Sequence, residues 1–254
     1  MNLPESLKKF KMFKNFLKAL GFLTLFPLPQ KILEEKELAP ASSWFPVVGY
    51  LLGAIYFYLA KFLSAKFPSE LISLVILILM VLLTGALHLD GLADWADSLG
   101  GKNPEERLKI MKEPQIGSFG ALGLLIVLLG KFSALKILIL QSNLLPIFFI
   151  PGLARFGLCL LLFSLPYLRE TGLGKAFIFK QSRYQLWLAF LFTLFPLVIF
   201  PFIKLWILLG ISFLLFIGFR ALTLKLFEGF TGDILGAGCE LCEMVLLLSA
   251  CFLF

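Results

Sequence analysis

The chain has 254 residues, of which 59% are hydrophobic, 29 are phenylalanine and only 15% are charged, with a mean hydropathy of +0.94. Those proportions exclude an ordinary soluble domain and describe a polytopic membrane protein in a lipid bilayer. The formal net charge of +7 comes with no basic module interleaved with aromatics, so it is an orientation signal, and no nucleic-acid partner is expected.

The expected fold is all-α. A single membrane-embedded domain is divided into a cytoplasmic or interfacial amphipathic segment over 1–42 and a transmembrane bundle over 43–254. Within residues 4–26, Leu7, Phe10, Phe13, Leu17 and Leu20 recur at helical spacing, while Lys8, Lys9, Lys11, Lys14 and Lys18 fill much of the rest. That pattern predicts a basic amphipathic helix lying on anionic lipid, ended by Pro27 and Pro29. A polar linker from Gln30 to Ser43 follows. Spans of ~20 residues are then expected at 44–65, 70–89, 118–140, 144–165, 185–203, 205–224 and 235–254, seven in all.

The second span ends in Leu87-His-Leu-Asp-Gly-Leu-Ala-Asp-Trp-Ala-Asp97. In a helix Asp90, Asp94 and Asp97 fall at i, i+4 and i+7, within a face ~60° wide. Carboxylates ~6 Å apart at an effective dielectric of ~20 repel by about 3 kcal/mol per pair. A bound cation relieves that repulsion, and carboxylate oxygens without thiolates or clustered imidazoles favour Mg²⁺, Mn²⁺ or Ca²⁺. The stripe therefore reads as a Mg²⁺ site with phosphate as co-ligand, against the plainer alternative of a solvated acidic helix end. His88 lies about 160° from Asp90 on a continuous helix. It serves structure or hydrogen bonding there, and joins the acids as a substrate-binding group only if Gly91 breaks the helix.

Asn103-Pro-Glu-Glu106 predicts a short capped helix running through Lys112. Gln115-Ile-Gly-Ser-Phe-Gly120 places Gly117 and Ser118 at the start of the next span, where helix-start N–H groups can hold phosphate oxygens; a plain loop-to-helix junction reads equally well. Arg155, midway through the fourth span, is a buried cation suited to an acid or a phosphate. Thr171-Gly-Leu-Gly-Lys175 offers glycines, a hydroxyl and the Lys175 ammonium to a substrate phosphate, without a full P-loop pattern. Asp233, Glu240 and Glu243 form a second acidic set on the last span, with Asp233 alternatively its N-cap. Cys159, Cys239, Cys242 and Cys251 lie in apolar segments and read as small buried hydrophobes. Lysine and arginine concentrate on the side of the N-terminus, which predicts that the N-terminus and the acids face the cytoplasm.

The block Leu87-His-Leu-Asp-Gly-Leu-Ala-Asp94 with Asp97 resembles the signature of the cobalamin synthase (adenosylcobinamide-GDP ribazoletransferase) family. It is followed by Leu108-Lys-Ile-Met-Lys112 and Gly117-Ser-Phe-Gly120, and supported by Phe45-Pro-Val-Val-Gly49, Gly172-Leu-Gly174 and Thr231-Gly-Asp-Ile-Leu-Gly-Ala237. Two departures stand out. Glu113-Pro-Gln115 replaces the family's Asp-Ser-Arg, and Glu228 replaces one of its paired glycines. The resemblance implies a Mg²⁺-dependent transferase of the cytoplasmic (inner) membrane. It joins adenosylcobinamide-GDP to α-ribazole or α-ribazole 5′-phosphate with release of GMP, late in cobalamin biosynthesis. In this scheme Asp90 and Asp94 hold Mg²⁺, Asp97 completes the shell or takes the hydroxyl proton, and Asp233 holds a second metal or the ribazole. Other corrinoid-pathway enzymes, or further copies of the chain, are candidate protein partners. The rival classes are a CDP-alcohol phosphotransferase, whose pattern carries Arg where this chain has Asp94, and a cation-coupled transporter.

Overall fold

The computed structural model describes residues 5–27, 38–169, 177, 182–200 and 202–254, and these are helical with short connections. Helix α1 (Glu5–Leu23) runs into a loop, and a 3-10 turn (Ala39–Trp44) leads into α2 (Phe45–Leu63). Then come α3 (Ser69–Thr84), α4 (Leu87–Ser98), the short α5 (Pro104–Ile110), α6 (Ser118–Leu140), α7 (Leu145–Ser164), α8 (Arg183–Ile199), α9 (Ile203–Phe227) and α10 (Gly232–Leu253). Among the described residues, five stretches are long and apolar enough to cross a membrane: the 3-10 turn with α2, α6, α7, α9 and α10.

The expected second span, 70–89, is not one helix. Gly85 and Ala86 both take left-handed backbone conformations, φ 62° and 57°, and the chain turns by 90° between α3 and α4. Only taken together do α3 and α4 make a sixth candidate span. At 12 residues α4 is ~18 Å long, too short to cross a ~30 Å hydrocarbon core by itself, and it turns away from α3. Against the expected seven, the described residues hold five candidate spans, or six with α3 and α4 taken together; α8, with 17 residues, is a shorter apolar helix. The last turn of α1 is built into the protein, with Ala19, Leu20 and Leu23 buried and Phe16 packed on Trp44. The bundle also starts before residue 43, since Ala39, Ala41 and Ser42 are already buried in the 3-10 turn. The predicted cap of α5 is present: Asn103 accepts the Glu106 N–H at 2.8 Å.

Two devices hold the bundle together. The first is glycine spacing. Gly49 and Gly53 on α2 let its backbone rest on that of α7, where added β-carbons would stand 2.3 Å from the Pro151 carbonyl oxygen and 2.0 Å from that of Phe148. Small residues four apart are what lipid-embedded helices use to approach closely, because burial from water cannot drive their association. The second is a buried set of four charges. Lys131 on α6 reaches Glu240 at 2.6 Å and also Glu243, both on α10, and Arg155 on α7 reaches Glu243 at 2.5 Å. All four are 2–5% exposed. Two cations and two anions cancel, so no net charge is left in a medium that tolerates none. Lys131 thus lies in the bundle interior.

The α2–α7 packing yields a direct test. Gly53→Ala should lower the melting temperature of the detergent-purified protein by an amount matching the ~1–3 kcal/mol of overpacking. Gly210→Ala, at a helical position with open space around it, should leave the temperature unchanged or raise it. Equal melting curves for the two variants would refute the close approach.

Candidate functional site

Helix α4 is continuous through Gly91, so Asp90, Asp94 and Asp97 do sit at i, i+4 and i+7 on one helix. Its partner is α10, and the two cross with almost nothing between their backbones. A β-carbon on Gly91 would stand 2.7 Å from the Asp233 Cα, and one on Gly236 would stand 3.1 Å from the His88 Cα. This crossing brings the sequence-distant Asp233 beside the acids of α4.

The three aspartates of the stripe have different surroundings. Both oxygens of Asp97 are committed to α6: Oδ2 accepts the Gly117 N–H and Oδ1 the Gly120 N–H, each at 2.7 Å. The carboxylate occupies the helix start where substrate phosphate was expected, and Gly117 and Ser118 are exposed there without lining the cavity described next. Asp94 is half-buried; burial first, then the Asp233 and Asp90 carboxylates, push its carboxyl up to about 6. Asp90 lines a cavity of about 290 Å³.

That cavity also takes in His88, Arg169 and Asp233 on its polar side and Phe22, Phe45, Tyr167 and Phe177 on its apolar side. Asp233 is not the N-cap of α10; Thr231 is, accepting the Ile234 N–H at 3.3 Å. Asp233 instead pairs with Arg169 at 2.5 Å. Arg169 is held there by a short backbone pairing, in which the Leu168 N–H donates to the Phe230 carbonyl at 3.0 Å and the Phe230 N–H to the Pro166 carbonyl at 2.8 Å. Glu228, the family departure, takes a left-handed φ of 64° that glycine adopts more cheaply, so the replacement strains the end of α9. His88 is among the residues lining the cavity although Gly91 does not break the helix, and the charges nearest its imidazole are those of Arg155, Glu243 and Lys131 in the bundle interior. Burial pushes its imidazole down to about 3, so it is neutral, and among the described residues its Nδ1 has no hydrogen-bond partner.

Of the remaining candidates, Arg155 is paired with Glu243 and is not among the residues lining the cavity, and Lys175 lies outside the described residues. Cys159, Cys239 and Cys242 are buried and all four thiols are free, as the apolar surroundings predict. Arg169 and the aromatic wall are what sequence reasoning misses. Arg169 stands next to the glycine-rich stretch that drew attention to Lys175, but its pairing to Asp233 depends on a contact 64 residues away.

Among the described residues no three His, Cys, Asp or Glu side chains form a ready-made metal cage. The donors nonetheless suit Mg²⁺. Such ions in phosphoryl-transfer sites are held by one or two carboxylates, with substrate oxygens and water completing the shell. Asp90 supplies a hard oxygen donor at the cavity and Asp94 a second one turn further along α4; burial leads the rise of the Asp94 carboxyl, and the Asp233 and Asp90 charges that add to it are what a cation would offset.

Residues 15–251 match the cobalamin-5-phosphate synthase family. The chain is 39% identical to the adenosylcobinamide-GDP ribazoletransferase of Syntrophobacter fumaroxidans, over 96% of this chain and 100% of the relative. It is 36% identical to that of Thermodesulfovibrio yellowstonii, over 95% and 96% of the two chains, and 33% identical to that of Clostridioides difficile, over 92% and 96%. No solved structure matches it.

The different surroundings of Asp97 and Asp94 predict opposite effects. Asp97→Ala removes an anionic cap from α6 and should cost about 1–2 kcal/mol, read as a lower melting temperature at neutral pH. A carboxyl raised above its unfolded value near 4 holds its proton more tightly in the folded chain, so ionising it costs stability as pH rises from about 4 through 6. Asp94→Asn should therefore raise the melting temperature of EDTA-treated protein at pH 8 and leave it unchanged at pH 4; a gain equal at both values would contradict this electrostatic account.

Proposed function

Because this chain belongs to the cobalamin-5-phosphate synthase family, we propose that it is a transferase joining adenosylcobinamide-GDP to α-ribazole or its 5′-phosphate, with GMP as the leaving group. The observation that carries the reading is the single cavity in which Asp90 of α4 meets Asp233 and Arg169. A ribose hydroxyl attacks the cobinamide-side phosphorus, a new P–O bond forms there, and the bridging P–O bond breaks so that its oxygen leaves on GMP. Mg²⁺, held by Asp90 and Asp94, would neutralise charge on the diphosphate.

The chain's own groups have the remaining work. Asp233, in the first turn of α10, accepts the hydrogen bond of the attacking hydroxyl and takes its proton, a role worth about 10²–10⁴ in rate. Arg169, already paired to Asp233, swings its guanidinium to the phosphate oxygens as negative charge gathers on the leaving group. Asp97, with both oxygens committed, holds α6 against α4 and so keeps the acids in place. The distribution of lysine and arginine supports a cytoplasm-facing site in the inner membrane. Family membership leaves the CDP-alcohol phosphotransferase and transporter readings without support.

The test is GMP release by detergent-purified protein given both substrates. Asp90→Asn and Asp94→Asn should each lower kcat/KM by about 10²-fold or more and raise the Mg²⁺ concentration needed, and EDTA should abolish turnover. Asp233→Asn should lower kcat by a similar factor without changing the Mg²⁺ requirement. Full turnover in EDTA would remove the metal from the mechanism; full activity of Asp233→Asn would remove its role as base.

A further inference from the structure

The cavity has two chemically distinct ends. One carries Asp90, Asp233 and Arg169, and the other is walled by aromatic rings from three separate parts of the chain. Phe22 of α1 and Phe45 of α2 lie nearly parallel, with centroids 5.8 Å apart and planes 7° from coplanar. Phe177 sets an edge against each, at 4.6 and 5.5 Å. Phe45 and Phe177 are each 1% exposed, so they back the partly exposed Phe22 rather than face the space themselves.

Size decides between the two substrates. At about 290 Å³ the cavity sits at the lower end of pockets that enclose one small organic molecule, ~300 Å³ and upward. A corrin macrocycle with its amide side chains does not fit; a nucleoside with a bicyclic aromatic base does. The geometry points to this cavity as the binding site of the ribazole substrate, with the base against the partly exposed rings of Phe22 and Tyr167, backed by Phe45 and Phe177, and the ribose turned toward Asp90 and Asp233. This assignment rests on the transferase reading above and adds to it which substrate enters the protein and which stays at the mouth. A flat π-face is the ligand chemistry that aromatic walls select, whereas a saturated sugar phosphate would gain little from them. The corrinoid reaches only its diphosphate into the polar end. In this arrangement α1 is part of the substrate site, since Gly21 and Phe22 close the cavity.

Steady-state GMP release by the full chain, varying each substrate at saturation of the other, tests the assignment. Phe22→Ala should raise KM for α-ribazole about tenfold or more, while KM for adenosylcobinamide-GDP stays within about twofold and kcat at saturating nucleoside is largely kept. Should Phe22→Ala fold poorly by its melting curve, Phe22→Leu offers a milder loss of the flat surface, with a smaller rise in the same KM alone. A rise confined to KM for adenosylcobinamide-GDP, or equal rises for both substrates, would overturn the assignment and leave the transferase standing. A wild-type protein that releases no GMP from the two substrates would overturn the transferase reading itself.

Discussion

The position of every acid in the candidate site depends on how closely two helix backbones can approach. Helices α4 and α10 cross at Gly91 and Gly236, each lying against the backbone of the other helix at Asp233 and His88. A side chain at either glycine would wedge the helices apart and separate Asp90 and Asp94 from Asp233. The same face of α10 then continues inward: Asp233, Gly236, Glu240 and Glu243 follow at helical spacing, so the helix that presents an acid to the cavity is pinned deeper down by Lys131 and Arg155. Position at one end is thereby secured by ion pairing at the other.

The two groups of charges differ in how completely they are compensated. In the interior, two cations meet two anions and the sum is zero, which suits a structural tie. At the cavity, Asp90 and Asp233 share the single cation Arg169 among the described lining residues, and their charges add to the burial that raises the neighbouring Asp94 carboxyl. An excess of negative charge beside an aromatic chamber is poor for stability and useful for binding cations and transferring protons.

The helical placement of the acidic stripe, the apolar bundle and the cap of α5 are legible in the sequence because each depends on spacing within one segment. What hydropathy misses is the break at Gly85–Ala86. The residues on both sides are apolar, and the left-handed backbone shows only once α4 has α10 to lie against. Asp97 shows the same limit for side chains. Spacing puts it in line with Asp90 and Asp94, yet the exposed amides of α6 claim both its oxygens. Arg169 and Lys131 are visible as charges, but their partners lie 64 and more than 100 residues away, so local pattern alone assigns them nothing. The Gly49–Gly53 spacing does carry a legible signal for close helix packing.

The cavity joins the two ends of the chain. Gly21 and Phe22 belong to the first helix and Gly232 to Gly236 belong to the last, while Leu25, just after the first helix, donates its N–H to Leu83 at the foot of the bend, at 2.8 Å. A ribosome makes these parts in sequence, so the first helix emerges long before the helix it must close against. During synthesis Phe22 and the last turn of α1 therefore wait without their final partner, and the chamber exists only after the last helix has entered the membrane. Assembly of the site therefore waits for that helix, and no shortened chain lacking it can possess the site.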